Sequence, residues 1–471
     1  MALGLLLAAL ALRLLYGAVA VTAEKDGANY DALALSIAEH GEYRLVGDEG
    51  LPYRSPGYPL FLAGIYRAVG FRHGAVRVVQ CLLDLVMGAF VLALGHALGL
   101  RRGVALLGMG IALLNPFTLA CSAMILSETL ATFLVTAAVL LLLSVARVEG
   151  GRRIAYSLAF GAVASAAALT RPSFALLPVP LLVVVLVTRQ LTGRRWMQVS
   201  ALALAGFVAV WLPWALRNAI VLRAFLPYNA ATIQRPGYNG WVGTWALTMQ
   251  DIYAAVWEAP VHPPPRAYED EAERREVEAL LAERTAAEAA PTADAAKLEA
   301  IDRRFVEIKE ARVARHPFRH YLILPFARCF TMWFLGNASF LAQANVPLGE
   351  MRRALTERPL ALSAKVLSLL LWDALPILAA LGWWRARRTH AAAASLPAAL
   401  AVYCTFVTVT ITVLRPAFQV WMEPRYVLES VPALAPLVST GAGALWERLR
   451  GARVPRGAAA AGLAGLAGRA L

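Results

Sequence analysis

The stretch MILSETLATFLVTAAVLLLLSVA, residues 124–146, is long enough and apolar enough to cross a lipid bilayer as a single helix. Only one of its residues is charged, Glu128, and this residue lies near the start of the stretch. Because an ionisable group at the membrane boundary is costly, Glu128 is expected to have a partner or a function. The stretch therefore indicates an integral membrane fold with a polar feature at one surface.

Nine further apolar blocks of similar length follow the same pattern. Of the 471 residues, 59% are hydrophobic and 16% are charged, whereas a soluble domain carries about 25% charged residues. We therefore predict an all-α integral membrane protein, a multi-span helix bundle of about 10 spans. The predicted spans are roughly 2–22, 75–99, 103–121, 124–146, 154–170, 174–190, 197–216, 361–384, 391–414 and 426–447.

Positive charge in the short loops orients these spans. The net charge is +14, and its arginines cluster between apolar blocks, which favours a role in membrane topology over nucleic-acid binding. Placing every cluster in the cytoplasm gives ten spans with both termini cytoplasmic, in a cell inner (plasma) membrane. The segment 320–336 carries Arg328, and we interpret it as an interfacial or re-entrant helix on the outer face. Counting it as a span would raise the number to eleven or more.

The spans divide the chain into four parts. We predict a transmembrane module over 1–220 with a first outer loop at 23–74, and an extracytoplasmic insertion over 221–360. C-terminal transmembrane helices over 361–450 and a cytoplasmic tail over 451–471 complete the chain.

Two amphipathic helices are predicted outside the membrane. In the first outer loop, apolar residues recur at helical spacing, and Gly41 is expected to end the helix. In the insertion, a second apolar stripe predicts one arm of a helical hairpin. A mobile charged lid is the alternative for this segment. The two stripes are Tyr30, Leu33, Ala34 and Ile37, and Leu298, Ile301, Phe305 and Ile308.

Charged residues collect at the outer boundary of this topology. A carboxylate there can act as a general base, and a guanidinium can bind a phosphate with two hydrogen bonds. Their convergence on one face indicates an anion-binding reaction chamber. The six residues are Asp26, Arg54, Glu128, Arg171, Arg217 and Arg425.

Each of these residues also has a structural interpretation. Asp26 could cap the helix that begins near Gly27, and Ser127 with Glu128 could cap the fourth span. Arg54 could reach lipid phosphates in general. The other three arginines could be interfacial anchors beside a proline.

A polar face inside the second span favours structure over catalysis. Arg77, Gln80 and Asp84 lie on one side of this helix and should point into the bundle as part of an ion pair. The four cysteines lie far apart in apolar stretches and show no metal-ligand spacing. The sequence contains no phosphate-binding glycine loop and no nucleophile elbow.

Several short motifs together resemble a known family. They are Asp26 after the first helix, the loop Arg54-Ser55-Pro56-Gly57-Tyr58-Pro59, Leu126-Ser127-Glu128-Thr129, Leu169-Thr170-Arg171-Pro172, Pro213-Trp214-Ala215-Leu216-Arg217-Asn218 and Arg425-Tyr426. In their order, they resemble polytopic glycosyltransferases of the GT-C fold, in the branch of protein O-mannosyltransferases and the lipid A aminoarabinose transferase. The resemblance covers roughly residues 1–220 well and the last span less well.

The resemblance implies roles for individual residues. Asp26 would be the general base that deprotonates the acceptor, with Glu128 as a second catalytic carboxylate. Arg54, Arg425 and Arg217 would bind the donor phosphate. Tyr30, Asp31, Tyr58, Arg171 and Tyr426 would support the site. The chain departs from the family where Gly27 follows Asp26 and where Ser55 follows Arg54.

These inferences predict an inverting glycosyltransferase of the cell envelope. It would transfer a hexose or pentose from a polyprenyl-phosphate donor to an extracytoplasmic acceptor, such as a glycan, lipid or protein hydroxyl. No cofactor is indicated, although two carboxylates could hold a divalent metal. Two alternatives stay open: a transporter or flippase for a polyprenyl-linked lipid, and a ligase that moves an intact oligosaccharide or phospho-group. The absence of visible internal repeats disfavours the transporter.

Overall fold

The computed structural model describes residues 1–19, 25–44, 54–223, 225–228, 236–257, 260–289, 295–334, 351–414 and 425–453. Helices and their connecting turns account for these ranges, and no strand occurs within them. The predicted all-α class is confirmed.

The described part of the first module contains ten α-helices. Nine of them coincide with the seven spans predicted there and with the helix predicted in the first outer loop, and the tenth, α3 (Gly57–Val69), was not predicted. One predicted span is broken by 47° between two helices, at Asn115 and Pro116. The Asn115 side chain accepts hydrogen bonds from the backbone of Phe117 and Thr118 and so caps the second piece. The helices are α1 (Ala2–Val19), α2 (Lys25–His40), α3 (Gly57–Val69), α4 (His73–Ala97), α5 (Arg102–Leu113), α6 (Pro116–Ala123), α7 (Glu128–Val145), α8 (Gly150–Thr170), α9 (Pro178–Val187) and α10 (Gly193–Val221).

Helices α8 and α10 cross at two facing glycines. A Cβ atom on Gly161 would lie 1.9 Å from the Ala203 carbonyl oxygen, and one on Gly206 would lie 2.1 Å from that of Leu158. Small residues allow helix backbones to approach this closely, which is a common way of packing membrane helices. The crossing fixes α10, whose outer end carries Arg217.

The predicted amphipathic helix is α2, and it packs on α3 above the bundle. Tyr30, Leu33 and Ala34 are buried and Ile37 packs against the same cluster, as the sequence predicts. The helix ends at His40, and Gly41 follows with φ = +73°, a conformation that favours glycine. This packing holds the start of α2 beside the loop that contains Arg54.

The insertion begins with α11 (Pro236–Val242) and α12 (Met249–Ile252) and continues with the predicted hairpin, α13 (Glu271–Ala289) and α14 (Ala295–Arg315). Ile301, Phe305 and Ile308 of the predicted stripe are buried, with Phe305 against the aromatic rings of α11. Next come α15 (Leu324–Phe334) and α16 (Met351–Glu357). Arg328 of α15 is fully buried and donates to the carbonyl oxygens of Gly243 and Ala246.

The C-terminal part contains α17 (Pro359–Ala386), α18 (Ala391–Leu414), α19 (Arg425–Leu428) and α20 (Val431–Arg453). A second glycine crossing joins α17 to α20. A Cβ atom on Gly382 would lie 1.9 Å from the Leu437 carbonyl oxygen, and one on Gly441 would lie 2.0 Å from that of Leu378. Both ends of the chain thus use the same packing device.

Five described helices are long and apolar enough to cross a membrane, or six if α5 and α6 form one span. Three shorter apolar helices lie in α1, in the region 172–187 and in α18. The multi-span architecture is confirmed, and the count of ten spans stays a prediction.

Candidate active site

For Asp26 and Arg425, two residues of the predicted site, the structure describes only the backbone. Asp26 lies in the first turn of α2, after Lys25 rather than before the helix, so it does not occupy the predicted cap position. Arg425 begins α19. The side chains of both residues lie outside the described part of the structure.

The loop that carries Arg54 is held on both sides by tyrosines. The Tyr43 hydroxyl donates to the Arg54 carbonyl oxygen at 2.7 Å. The Arg54 guanidinium lies over the Tyr30 ring, with its central carbon 4.9 Å from the ring centre, a cation–π arrangement. Tyr30 is four residues after Asp26 in α2, so the arginine lies within about one helical turn of that position along the helix.

Arg217 lies on the other side of Tyr43. Its guanidinium carbon is 5.8 Å from the centre of the Tyr43 ring and 5.2 Å from that of Trp214. It also donates to the Asn218 side-chain oxygen at 2.9 Å. Burial raises the pKa of the Tyr43 hydroxyl, the nearby Tyr30 adds to this, and Arg217 and Arg54 oppose it. Tyr43 therefore stays a neutral donor that connects two cations.

Arg171 lies in a different environment, between two buried carboxylates. Its guanidinium is 3.0 Å from Glu128 and 3.2 Å from Glu429, and its central carbon is 4.8 Å from the centre of the Tyr426 ring. Glu128 is 3% exposed and Glu429 is 1% exposed. Arg171 thus joins the end of α8 to the start of α7 and to the region around α19, through ion pairs with Glu128 and Glu429.

Glu429 was not among the residues predicted from the sequence. It follows Arg425-Tyr426 by only a few residues and precedes a run of apolar residues and prolines. A carboxylate at the start of a predicted span was the available signal, and it is the same signal that identified Glu128.

Tyr58 supports the loop from below. It is fully buried, meets the Tyr30 ring edge-on at 4.9 Å and donates to the Gln80 side-chain oxygen at 2.8 Å. Gln80 in turn donates to the carbonyl oxygens of Ser122 and Met124. Gly57, one residue earlier, packs directly on the end of α8, because a Cβ atom there would lie 2.6 Å from the Thr170 backbone nitrogen.

Asp31 is engaged in anchoring α2. It accepts a hydrogen bond from the Tyr66 hydroxyl at 2.5 Å and lies 2.7 Å from the His73 ring nitrogen. These partners belong to α3 and α4, so Asp31 is tied to the scaffold beside the site.

The predicted polar face of α4 is buried and structural. Asp84 pairs with Arg13 of α1 at 2.9 Å, a partner that spacing within α4 could not reveal. Arg77 donates to the carbonyl oxygens of Ala123 and Gly17, both at 3.0 Å. These contacts fasten α1 to α4 and α6 below the candidate site.

No cluster of three or more histidine, cysteine or acidic side chains with metal-binding geometry occurs in the described ranges. The arrangement at the boundary is therefore one of cations, aromatic rings and paired carboxylates. It can bind an anion at Arg54 and Arg217, and it can hold the neighbouring helices together at Arg171.

Comparison with known proteins agrees with this architecture. Residues 53–214 match the family model described as dolichyl-phosphate-mannose-protein mannosyltransferase. No curated protein sequence matches the chain significantly.

Two solved structures were found to be similar to this chain. The archaeal oligosaccharyltransferase AglB from Archaeoglobus fulgidus, solved with an inhibitory peptide and a dolichol-phosphate, superposes with a TM-score of 0.51 and 11% identity. The match covers 97% of this chain and 52% of AglB, so the chain spans about half the length of that protein. ArnT from Cupriavidus metallidurans, solved with undecaprenyl phosphate, gives a TM-score of 0.42 at 15% identity over 94% of this chain and 78% of ArnT. The predicted resemblance is confirmed at the level of fold: the chain has the architecture of the GT-C-type membrane glycosyltransferases, and residues 53–214 carry the family's pattern.

Proposed function

We propose that this protein transfers a sugar from a polyprenyl-phosphate carrier to a hydroxyl of an acceptor outside the cytoplasm, with inversion at the sugar carbon. One observation carries the proposal. The Arg54 guanidinium lies over Tyr30 of the helix that bears Asp26, and the Arg217 guanidinium lies over Tyr43, whose hydroxyl donates to the Arg54 carbonyl oxygen. At the outer membrane boundary, where the sequence predicts these residues to lie, the anion available to such a site is a lipid phosphate.

The chemistry follows from charge. Asp26 removes the proton of the acceptor hydroxyl, and the acceptor oxygen forms a bond to the anomeric carbon. The bond from that carbon to the phosphate oxygen breaks, and its electron pair leaves with the lipid phosphate. Arg54 and Arg217, with Arg425 as a third cation, stabilise the charge that builds on the leaving group, as in an oxyanion hole.

The environment of Glu128 suggests a positioning role for this carboxylate. Arg171 lies 3.0 Å from it, and a charge-assisted contact of this kind fixes the positions of both side chains. In the proposed reaction Glu128 keeps Arg171 and the start of α7 in place beside Tyr30, whose hydroxyl lies 3.5 Å from the Ser127 hydroxyl.

The orientation is part of the proposal. The site faces the extracytoplasmic side of the inner (plasma) membrane, both termini face the cytoplasm, and the insertion bounds the acceptor site. The mechanism uses no cofactor. Cysteine labelling at positions 26 and 217 from each side of sealed vesicles tests this, and labelling of the two positions from opposite sides would refute it.

The decisive experiment is sugar transfer by the purified protein. A set of polyprenyl-phosphate sugars is incubated with the protein and an acceptor mixture, and released polyprenyl phosphate and labelled product are measured. We expect Asp26→Asn to lose about 10²–10⁴-fold in turnover, because a general base contributes about this much, while its donor binding stays intact. Near-normal turnover in this variant would refute the role of Asp26.

A control on the same helix separates this effect from a general loss of charge. Glu39 lies near the other end of α2, and its side chain is 64% exposed. Glu39→Gln should transfer sugar at the wild-type rate. A protein that moves the donor across the bilayer of vesicles but never releases polyprenyl phosphate would be a flippase instead.

A further inference from the structure

Two tryptophans on the outer half of α10 have unused hydrogen-bond donors. The indole nitrogens of Trp211 and Trp214 are buried, and neither reaches an acceptor in the part of the chain that the structure describes. A buried donor without a partner costs about 1–3 kcal/mol, and buried polar groups in native proteins are nearly always paired. These two N–H groups therefore need an explanation.

Most other described tryptophans of this protein have an acceptor for the indole N–H group. On the same helix, Trp196 donates to the Leu182 carbonyl oxygen at 2.9 Å. Four more, Trp241, Trp333, Trp372 and Trp383, also donate to protein acceptors. A third buried indole without an acceptor, that of Trp245, lies apart in the insertion.

The position of the pair points to an anion. Trp211 and Trp214 are three residues apart, so they share one face of α10, and Arg217 follows at the next turn. The Arg217 guanidinium carbon lies 5.2 Å from the centre of the Trp214 ring. Two neutral donors and a cation thus succeed one another along the helix, from the predicted membrane interior to its outer boundary.

An ordinary interfacial role does not account for this geometry. Tryptophans that anchor a helix at the membrane surface keep the N–H among water and headgroups. Here the indole nitrogens are closed off from solvent, and the Trp211 ring lies 6.4 Å from Phe225 and 6.5 Å from Tyr228, in the segment 225–228. This segment is tied to α10 by the Asn218 side chain, which donates to the Leu226 carbonyl oxygen, and to the Arg54 loop by the Ser55 hydroxyl, which donates to Tyr228.

The segment also provides a route of entry. Phe225 lies 6.4 Å from the Trp211 ring and is 72% exposed. Displacing this side chain requires little loss of packing and would open space beside the Trp211 ring.

We infer that Trp211 and Trp214, together with Arg217, form a phosphate-binding ladder on α10, in which the two indole N–H groups donate to oxygens of a lipid-linked phosphate. The inference rests on the proposed use of such a donor and assigns it two neutral ligands in addition to the arginines. The ladder would receive the phosphate from the bilayer side and pass it to Arg54 across Tyr43.

The test is a binding measurement on the full-length protein in lipid nanodiscs, with undecaprenyl phosphate as the probe and undecaprenol as its uncharged counterpart. Trp214→Phe and Trp211→Phe keep the aromatic ring and remove only the N–H. We expect each to weaken undecaprenyl phosphate binding about ten- to a hundredfold, as expected for loss of one hydrogen bond to a charged group. Undecaprenol binding should not change.

Stability provides the second measurement. Removing an unsatisfied buried donor relieves a penalty, so the ligand-free phenylalanine variants should melt at or above the wild-type temperature. Trp196→Phe removes a satisfied donor on the same helix, so it should melt lower and bind undecaprenyl phosphate normally. A structural role for Trp214 predicts the opposite pattern, lower stability with unchanged binding, and that result would overturn the inference.

A direct signal completes the design. In protein labelled with ¹⁵N-tryptophan, the indole resonances assigned to Trp211 and Trp214 should shift on adding undecaprenyl phosphate and stay in place on adding undecaprenol. A wild-type protein that binds undecaprenyl phosphate but transfers no sugar would refute the proposed function and leave the ladder intact. If the wild-type protein transfers sugar and the phenylalanine variants bind undecaprenyl phosphate as tightly as it does, the ladder is refuted and the proposed function stands.

Discussion

Arg217 and Arg171 both lie where an apolar helix ends, yet their surroundings differ. Arg171 lies between Glu128 and Glu429 and is balanced by them. Arg217 contacts the rings of Tyr43 and Trp214 and the side chain of Asn218, and none of its described contacts is a carboxylate.

Aromatic rings orient a guanidinium and leave its charge unbalanced, whereas a carboxylate neutralises that charge. The side chains around an arginine at the membrane boundary therefore indicate whether it binds a substrate or stabilises the fold. By this reasoning Arg217 serves an anion and Arg171 serves the fold.

The largest expected effect tests the scaffold side of this comparison. Arg171→Met removes a cation that lies between two buried carboxylates. Breaking a buried pair in this way costs about 3–5 kcal/mol, so we expect a large drop in the melting temperature of the purified protein. A melting temperature equal to that of the wild type would remove Arg171 from the scaffold.

Two further variants sharpen this result. Adding Glu429→Gln to Arg171→Met removes one of the opposed charges and should recover part of the loss. Arg385 forms a pair with Glu447 in which both side chains are more than half exposed. Arg385→Met should therefore cost about 1 kcal/mol or less.

The second effect concerns the contact that joins the two regions. Gly57 follows the Arg54 loop and packs on Thr170, next to Arg171. Gly57→Ala forces α3 away from α8, and we expect a loss of about 1–3 kcal/mol in stability, together with weaker binding of undecaprenyl phosphate. Thermal melting and a binding titration measure the two quantities.

A second glycine of α3 provides the control. A Cβ atom on Gly64 would meet nothing within 4 Å, and alanine favours a helix over glycine by about 1 kcal/mol. Gly64→Ala should therefore melt at or above the wild-type temperature. Equal losses in both variants would mean that α3 tolerates no substitution at all, and that the Thr170 contact is not special.

The sequence predicted what depends on local periodicity. The helix of Tyr30, Leu33 and Ala34, its end at Gly41 and the buried stripe around Phe305 all follow from spacing along one helix. The fold class follows from the length of the apolar blocks.

Local sequence patterns could not predict which side chains pair between distant helices. Nothing near Asp84 indicates that its partner is Arg13, and nothing near Arg171 indicates that two glutamates from other helices meet it. The sequence places Arg171 and Arg217 in the same class, because both end an apolar span, with a proline within four residues and a polar residue next to them. Only the three-dimensional packing distinguishes a balanced guanidinium from one held by aromatic rings.

The smallest expected effect on stability tests the substrate side. Arg217→Ala removes a cation that contacts rings and an amide, so we expect little change in melting temperature. Undecaprenyl phosphate affinity should fall about ten- to a hundredfold, since a hydrogen bond to a charged group contributes about 1.5–3 kcal/mol. Arg217→Lys should lose less, because the charge is kept.

Arg223→Ala removes the same charge six residues further along and is the control for a general electrostatic effect. That variant should bind normally at about 0.15 M salt, where exposed charges more than about 8 Å apart are largely screened. Equal losses of affinity in Arg217→Ala and Arg223→Ala would mean that the phosphate responds to the overall field of the outer surface, and the distinction between Arg217 and Arg171 would then lose its functional meaning.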